Sequence, residues 1–123
     1  MRVLIGSATL VSLLACGSPI GPIPGDLVVR ATPPVLELAN HSSAAIYTFT
    51  IDRNVAAYTE WGPCTNPSTC AFITAGGTRS LAYTQIDGYS SASREAIVYW
   101  WHLVPDGIDG FQPDSVRAVV IGL

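Results

Sequence analysis

The chain contains no lysine, and its six basic residues are all arginine. Five of them (Arg30, Arg53, Arg79, Arg94 and Arg117) are spread evenly, and the formal net charge is −3. Phosphate neutralisation needs clustered cations, so nucleic acid is excluded as a partner. Charge of either sign is scarce: Asp, Glu, Lys and Arg make up 12% of the residues, against about a quarter in ordinary domains. With so few charges, scattered, electrostatic steering points to no particular ligand. No uninterrupted apolar run reaches the about 20 residues a spanning helix needs. The two histidines, His41 and His102, and the three cysteines do not stand at metal-finger spacing. No G-x-S-x-G, H-E-x-x-H, P-loop or G-x-G-x-x-G occurs, and no internal repeat is visible. Catalytic residues, a metal site and a cofactor site are therefore not assigned.

What is present is apolar. Residues of that character form 49% of the chain, which excludes a disordered protein. The first 15 residues have their own logic. Met1-Arg2 gives a positive start, and Val3 to Leu14 is a mostly apolar stretch broken by Gly6, Ser7, Thr9 and Ser12. That is the length of a secretory signal core, too short to cross a bilayer. Residues 17–25, "GSPIGPIPG", follow with three prolines and three glycines. Proline blocks helix and central strand and glycine loosens the chain, so the segment reads as a tether. Its other reading is packing along the edge of the domain.

From residue 27 onward no window keeps a helical period. Val, Ile, Thr, Tyr and Trp dominate, as half-buried strands prefer. Turn residues recur every 8 to 15 positions. Strands are expected at 27–31, 35–40, 45–51, 55–61, 70–74, 79–86, 95–104 and 115–123. The fold class that follows is all-β: a two-sheet antiparallel, immunoglobulin-like sandwich of seven or eight strands, with a small barrel as the alternative. The organisation is 1–15 signal peptide, 16–26 tether and 27–123 sandwich.

"CTNPSTC" sets Cys64 and Cys70 around the turn pair Asn66-Pro67. An oxidising compartment permits a disulfide there. No histidine lies nearby at finger spacing, and the spacing is not that of a C-x-x-C redox pair. His41, in "NHSS", is expected in a solvated turn. "PDGIDGFQPD", 105–114, is read first as a turn; Asp106, Asp109 and Asp114 could supply calcium oxygens, but not at calcium-loop spacing. In "YWWH", alternation allows only one tryptophan into a given core. The expectation is that Ile97, Tyr99, Trp101 and Leu103 point inward. Trp100 would then lie outside near His102, as an exposed platform or covered by the N-terminal segment or a loop.

Leu13-Leu14-Ala15-Cys16 resembles a bacterial lipobox. Leu13 and Ala15 fit the pattern; Leu14 is bulkier than usual there. The resemblance implies cleavage before Cys16 and lipidation of Cys16, and hence a membrane partner. Two or more acyl chains hold a protein stably to lipid. Gly17, where an inner-membrane retention signal would carry Asp, implies the outer membrane of a Gram-negative cell. The strand ending in Asn40, "EWGPC", "AGGTRSL" and "EAIVYWW" together resemble uncharacterised bacterial lipoproteins with an immunoglobulin-like domain, a class that brings no activity with it. "NPST" at 66–69 also resembles the Asn-Pro-Thr-Thr loop of chagasin-type cysteine-protease inhibitors, whose Arg-Pro-aromatic loop this chain lacks. The function expected is a non-enzymatic envelope binding module. Trp100, His102, Asn66 and Pro67 are its candidate contacts to a protein or glycan partner. The alternative is a hydrolase inhibitor presenting the 64–70 loop.

Overall fold

The structure, a computed structural model, describes residues 26–123. The signal peptide, Cys16 and the tether up to residue 25 lie outside the described residues.

β1 (Leu27–Thr32) and β2 (Val35–Asn40) form a hairpin closed by Pro33-Pro34, whose peptide bond is cis. A two-residue turn with cis proline at its third position is the type VI geometry. β5 (Thr78–Ala82) pairs with β2 and completes a sheet of order β1-β2-β5. The second sheet has the order β4-β3-β6-β9. It uses β3 (Ile46–Asp52), β4 (Phe72–Ile73), β6 (Glu95–Trp101) and β9 (Arg117–Gly122). β7 (Leu103–Pro105) and β8 (Phe111–Pro113) pair as a separate ribbon. All strand pairs are antiparallel. The protein is an all-β antiparallel sandwich, with seven strands in its two sheets.

Apolar side chains from both sheets meet in one core. Leu27, Leu36, Leu38 and Leu81 come from the first; Ile46, Ile73, Ala96, Val98 and Trp100 come from the second. Each buried aliphatic side chain contributes about 1.5–3 kcal/mol. The polar face of the first sheet carries Arg30 opposite Glu37.

This corrects the expected facing of β6. Ala96, Val98 and Trp100 point into the sandwich, and Trp100 is 5% exposed. Trp101 points the other way, yet is 1% exposed, because Cys70 and the Trp61 segment cover that side. A strand covered on both faces carries no polar mark to say which face is the inter-sheet one. Trp100 is thus covered by the opposite sheet and is not an external platform.

The strand expected at 55–61 is also corrected. Asp52 ends β3 and caps a single helical turn, α1 (Arg53–Ala56). Its carboxylate accepts the N–H groups of Asn54 at 2.8 Å and Val55 at 3.0 Å. Such a cap directs the chain into a helical turn whatever the β-propensity of Val55. Gly88 makes room for that turn: its φ is +74°, and a Cβ there would lie 2.8 Å from Val55. Elsewhere β5 stops at Ala82 in a 3-10 turn over Tyr83–Gln85, and the expected 95–104 strand breaks at His102. The β8 strand was not expected at all.

Candidate functional site

The cysteine loop is fixed at three levels. Cys64 and Cys70 are disulfide-bonded, their Cα atoms 5.9 Å apart. Inside the loop, the Asn66 side-chain oxygen accepts the Ser68 N–H at 2.9 Å and the Ser68 hydroxyl at 2.7 Å. Its backbone carbonyl accepts the N–H groups of Thr69 and Cys70. The loop is then fastened to the sheet. Trp101 donates its indole N–H to the Cys64 carbonyl at 3.1 Å, and Cys70 packs on Trp101 and Tyr47. An Asn-Pro turn closed by a disulfide becomes a rigid projection.

Beside it stands the tip of the β7–β8 ribbon. Asp106 receives the N–H groups of Ile108 at 2.8 Å and Gly110 at 3.1 Å on one oxygen, and its own N–H reaches the Gly110 carbonyl. Those two donors hold the Asp106 carboxyl below the usual carboxylate range. Gly107, between Asp106 and Ile108, has φ +88°, which favours glycine.

The two loops bound a cleft of about 740 Å³. Thr65, Asn66, Pro67 and Ser68 form one wall; Asp106, Asp109 and Phe111 form the other. With Asn66 Oδ1 used inside its own loop, the Nδ2 group is left as a donor. Phe111 is 43% exposed and offers a ring. The cleft therefore combines an amide donor, hydroxyls, two carboxylates and one aromatic face, and no basic side chain lines it. Asn66 and Pro67 are the two residues expected at a contact surface that reach it. Thr65 belongs to the 64–70 loop already expected there, while Phe111 was missed. Only the Gly/Asp-rich composition of 105–114 pointed toward that loop.

Trp100 and His102 lie elsewhere. Trp100 has the Arg117 guanidinium 4.6 Å over its ring and His102 edge-on at 6.1 Å. The His102 Nδ1 sits 2.9 Å from the Ala45 carbonyl and so carries hydrogen there; Nε2 is 3.1 Å from the Asp26 carboxylate. The His102 backbone N–H bonds to Asp114, whose carboxylate also takes the Ser115 N–H and pairs with Arg117. Burial works to raise the Asp114 pKa, and these hydrogen bonds outweigh it and lower it. The His102 ring, at the β6–β7 break, thus bridges the Ala45 carbonyl just before β3 and the Asp26 carboxylate just before β1. Asp106 and Asp114 serve separate hydrogen-bond sets, and among the described residues no three His, Cys, Asp or Glu side chains converge as a metal site would require.

Tyr47, Phe49, Phe72, Tyr99 and Trp61 form an aromatic layer over the outer face of the second sheet. Trp61 lies between Phe49 (4.8 Å) and Tyr99 (4.6 Å). Among the described residues no helix is long and apolar enough to cross a membrane. Comparison of the chain with protein families, with curated proteins and with solved structures gave no match.

Proposed function

We propose that this chain is a lipid-anchored cell-envelope protein of a Gram-negative bacterium, held at the outer membrane through Cys16. Its strand-built body is a non-enzymatic, immunoglobulin-like binding module. The lipobox resemblance supports the anchor. The strand order β1-β2-β5 facing β4-β3-β6-β9 supports the immunoglobulin-like reading. The observation that carries the binding role is the cleft between the disulfide-pinned loop and the β7–β8 tip. A rigid loop loses little freedom on binding, so its contacts count toward affinity. Asn66, Pro67, Asp109 and Phe111 are the contacts; buried Trp100 and engaged His102 are set aside. The partner is a protein or glycan of the envelope.

The test has two arms. Mass spectrometry of full-length protein from a Gram-negative host should find acylated Cys16 as the new N-terminus; an unmodified thiol or an uncleaved leader overturns the anchor. A photo-crosslinker at Thr65 should capture an envelope component, and Asp109→Ala/Phe111→Ala should abolish that capture. Undiminished capture by the double variant overturns the cleft as contact surface.

The side-by-side placement of two rigid loops favours one second reading, a hydrolase inhibitor. Its signature would be inhibition of an envelope protease that is lost in Cys64→Ala/Cys70→Ala.

A further inference from the structure

β9 is the outermost strand of its sheet, hydrogen-bonded to β6 alone. Just past its end, the Leu123 N–H bonds to the Arg94 carbonyl at 2.9 Å. Antiparallel pairing alternates along a strand, so Ile121, Val119 and Arg117 also turn their backbone groups toward β6. The N–H and C=O groups of Ala118, Val120 and Gly122 therefore point away from the sheet. Among the described residues no strand pairs with that side. Natural edges are usually blunted by charge, proline or a bulge. Here the run Ala118 to Gly122 has neither charge nor proline, and Val119 and Val120 are 37% and 44% exposed.

We infer that β9 pairs antiparallel with β9 of a second copy of this chain, about Val120, and joins two four-stranded sheets into one. The register follows from geometry. A two-fold axis perpendicular to the sheet keeps each face continuous, so only residues of the same face can stand opposite one another. Any residue of the strand meets this condition as a centre, and Val119 and Val120, the two middle residues of β9, keep the most pairs within it. Pairing about Val120 sets Val120 against Val120, Ala118 against Gly122 and Val119 against Ile121. All three outward-facing residues then find backbone partners, and apolar side chains meet on both faces. Pairing about Val119 would bring Arg117 against Ile121 and put Gly122 opposite Val116, which precedes the strand. The Val120 register also leaves Arg117 with Asp114 and Trp100, and brings no like charges opposite.

Gly122 has no Cβ and open space on the face where one would stand, so it sets no side chain against Ala118 of the second copy. The edge offers no pocket or charge that would select a foreign strand, whereas its own sequence complements it on both faces. The contact is isologous and uses the same β9 edge in each copy, so it closes at two. A single strand pair falls short of the about 1,200 Å² of a stable interface, so the dimer is weak and concentration-dependent. This inference uses no residue of the cleft and stands apart from the binding role.

Sedimentation equilibrium of the full-length chain should show a reversible monomer–dimer equilibrium. Val120→Lys, which sets two ammonium groups against each other, should raise the half-dimer concentration about tenfold or more. Ala118→Pro removes an outward N–H that β6 does not use; it should do the same with the melting temperature nearly unchanged. In a Cys16→Ser background, Val120→Cys should crosslink to itself, and Val119→Cys and the exposed control Tyr58→Cys should not. A monomer at every concentration, a dimer indifferent to both edge substitutions, growth into larger oligomers, or crosslinking that prefers position 119 or 58 overturns the inference.

Discussion

Asp52 is 4% exposed, and it is charged because every surrounding donor favours the anion. The Ser93 hydroxyl is the largest influence, the Val55 N–H follows, and together with Asn54 they outweigh burial and lower its pKa from the model-peptide 3.8. A folded-state pKa below the unfolded one means the stabilisation is complete above the unfolded value. It is lost as pH falls through the folded one. The urea midpoint of unfolding should therefore fall as pH drops below about 4. Asp52→Asn should make that acid limb shallower without removing it, because Asp106 and Asp114 titrate in the same direction. Loss of the cap in Asp52→Ala should cost about 1–2 kcal/mol at neutral pH. Tyr83 is the opposite case. Its hydroxyl is buried with no hydrogen-bond partner among the described residues, while the ring packs in the core beside Tyr89. An unpaired buried hydroxyl costs about 1–3 kcal/mol. Tyr83→Phe should leave the fold as stable or more so, read as an unchanged or raised urea midpoint.

The elements differ in how far local sequence specifies them. β1 and β2 were legible because the runs 27–31 and 35–40 are rich in Val and Leu, with Glu37 set between Leu36 and Leu38. The Cys64–Cys70 bond was legible from spacing around Asn66-Pro67. The helical turn after Asp52 was hidden, since "VAAYTEW" alternates as a strand would and only the capping geometry overrides it. β6 was seen as an element, but its facing was not. The residues that decide it, Trp61 and Cys70, stood in the runs 55–61 and 70–74 that read as strands, so nothing marked them as a cover over β6. The cleft was half legible for a related reason. Asn66 and Pro67 carried a turn signal, while Phe111 sits on a three-residue strand too short to show alternation. The cysteine loop itself supports a numerical expectation. Closing so short a loop restricts the unfolded chain by about 2–2.5 kcal/mol. Cys64→Ala/Cys70→Ala should lose about that much in a urea titration, with the slope little changed.

At the scale of the whole molecule the sandwich has three layers where two would suffice for a sheet pair. The first sheet and the second sheet enclose the larger core; the segment from Ala57 to Cys70 lies over the outer face of β3 and β6 as the third. That segment has no strand and no helix. Its attachments are ring contacts of Trp61, the indole bond from Trp101 to Cys64, and the packing of Cys70. Regions with few backbone hydrogen bonds open at lower free energy than the sheets beneath them. The third layer should therefore open as a unit while both sheets stay closed. Hydrogen exchange followed by NMR reads this through one proton, the Trp101 indole N–H. It should exchange faster than the amides of Leu36, Leu38 and Val98, and at a rate shared with Thr69 and Cys70. Reduction of the disulfide should speed the indole and the loop together and leave Leu36 and Leu38 unchanged. Equal acceleration of all of these would mean that cover and sandwich unfold as one body. The rigidity of the 64–70 loop on which the proposed binding role rests would then derive from the entire fold, with no separate contribution from the local staple.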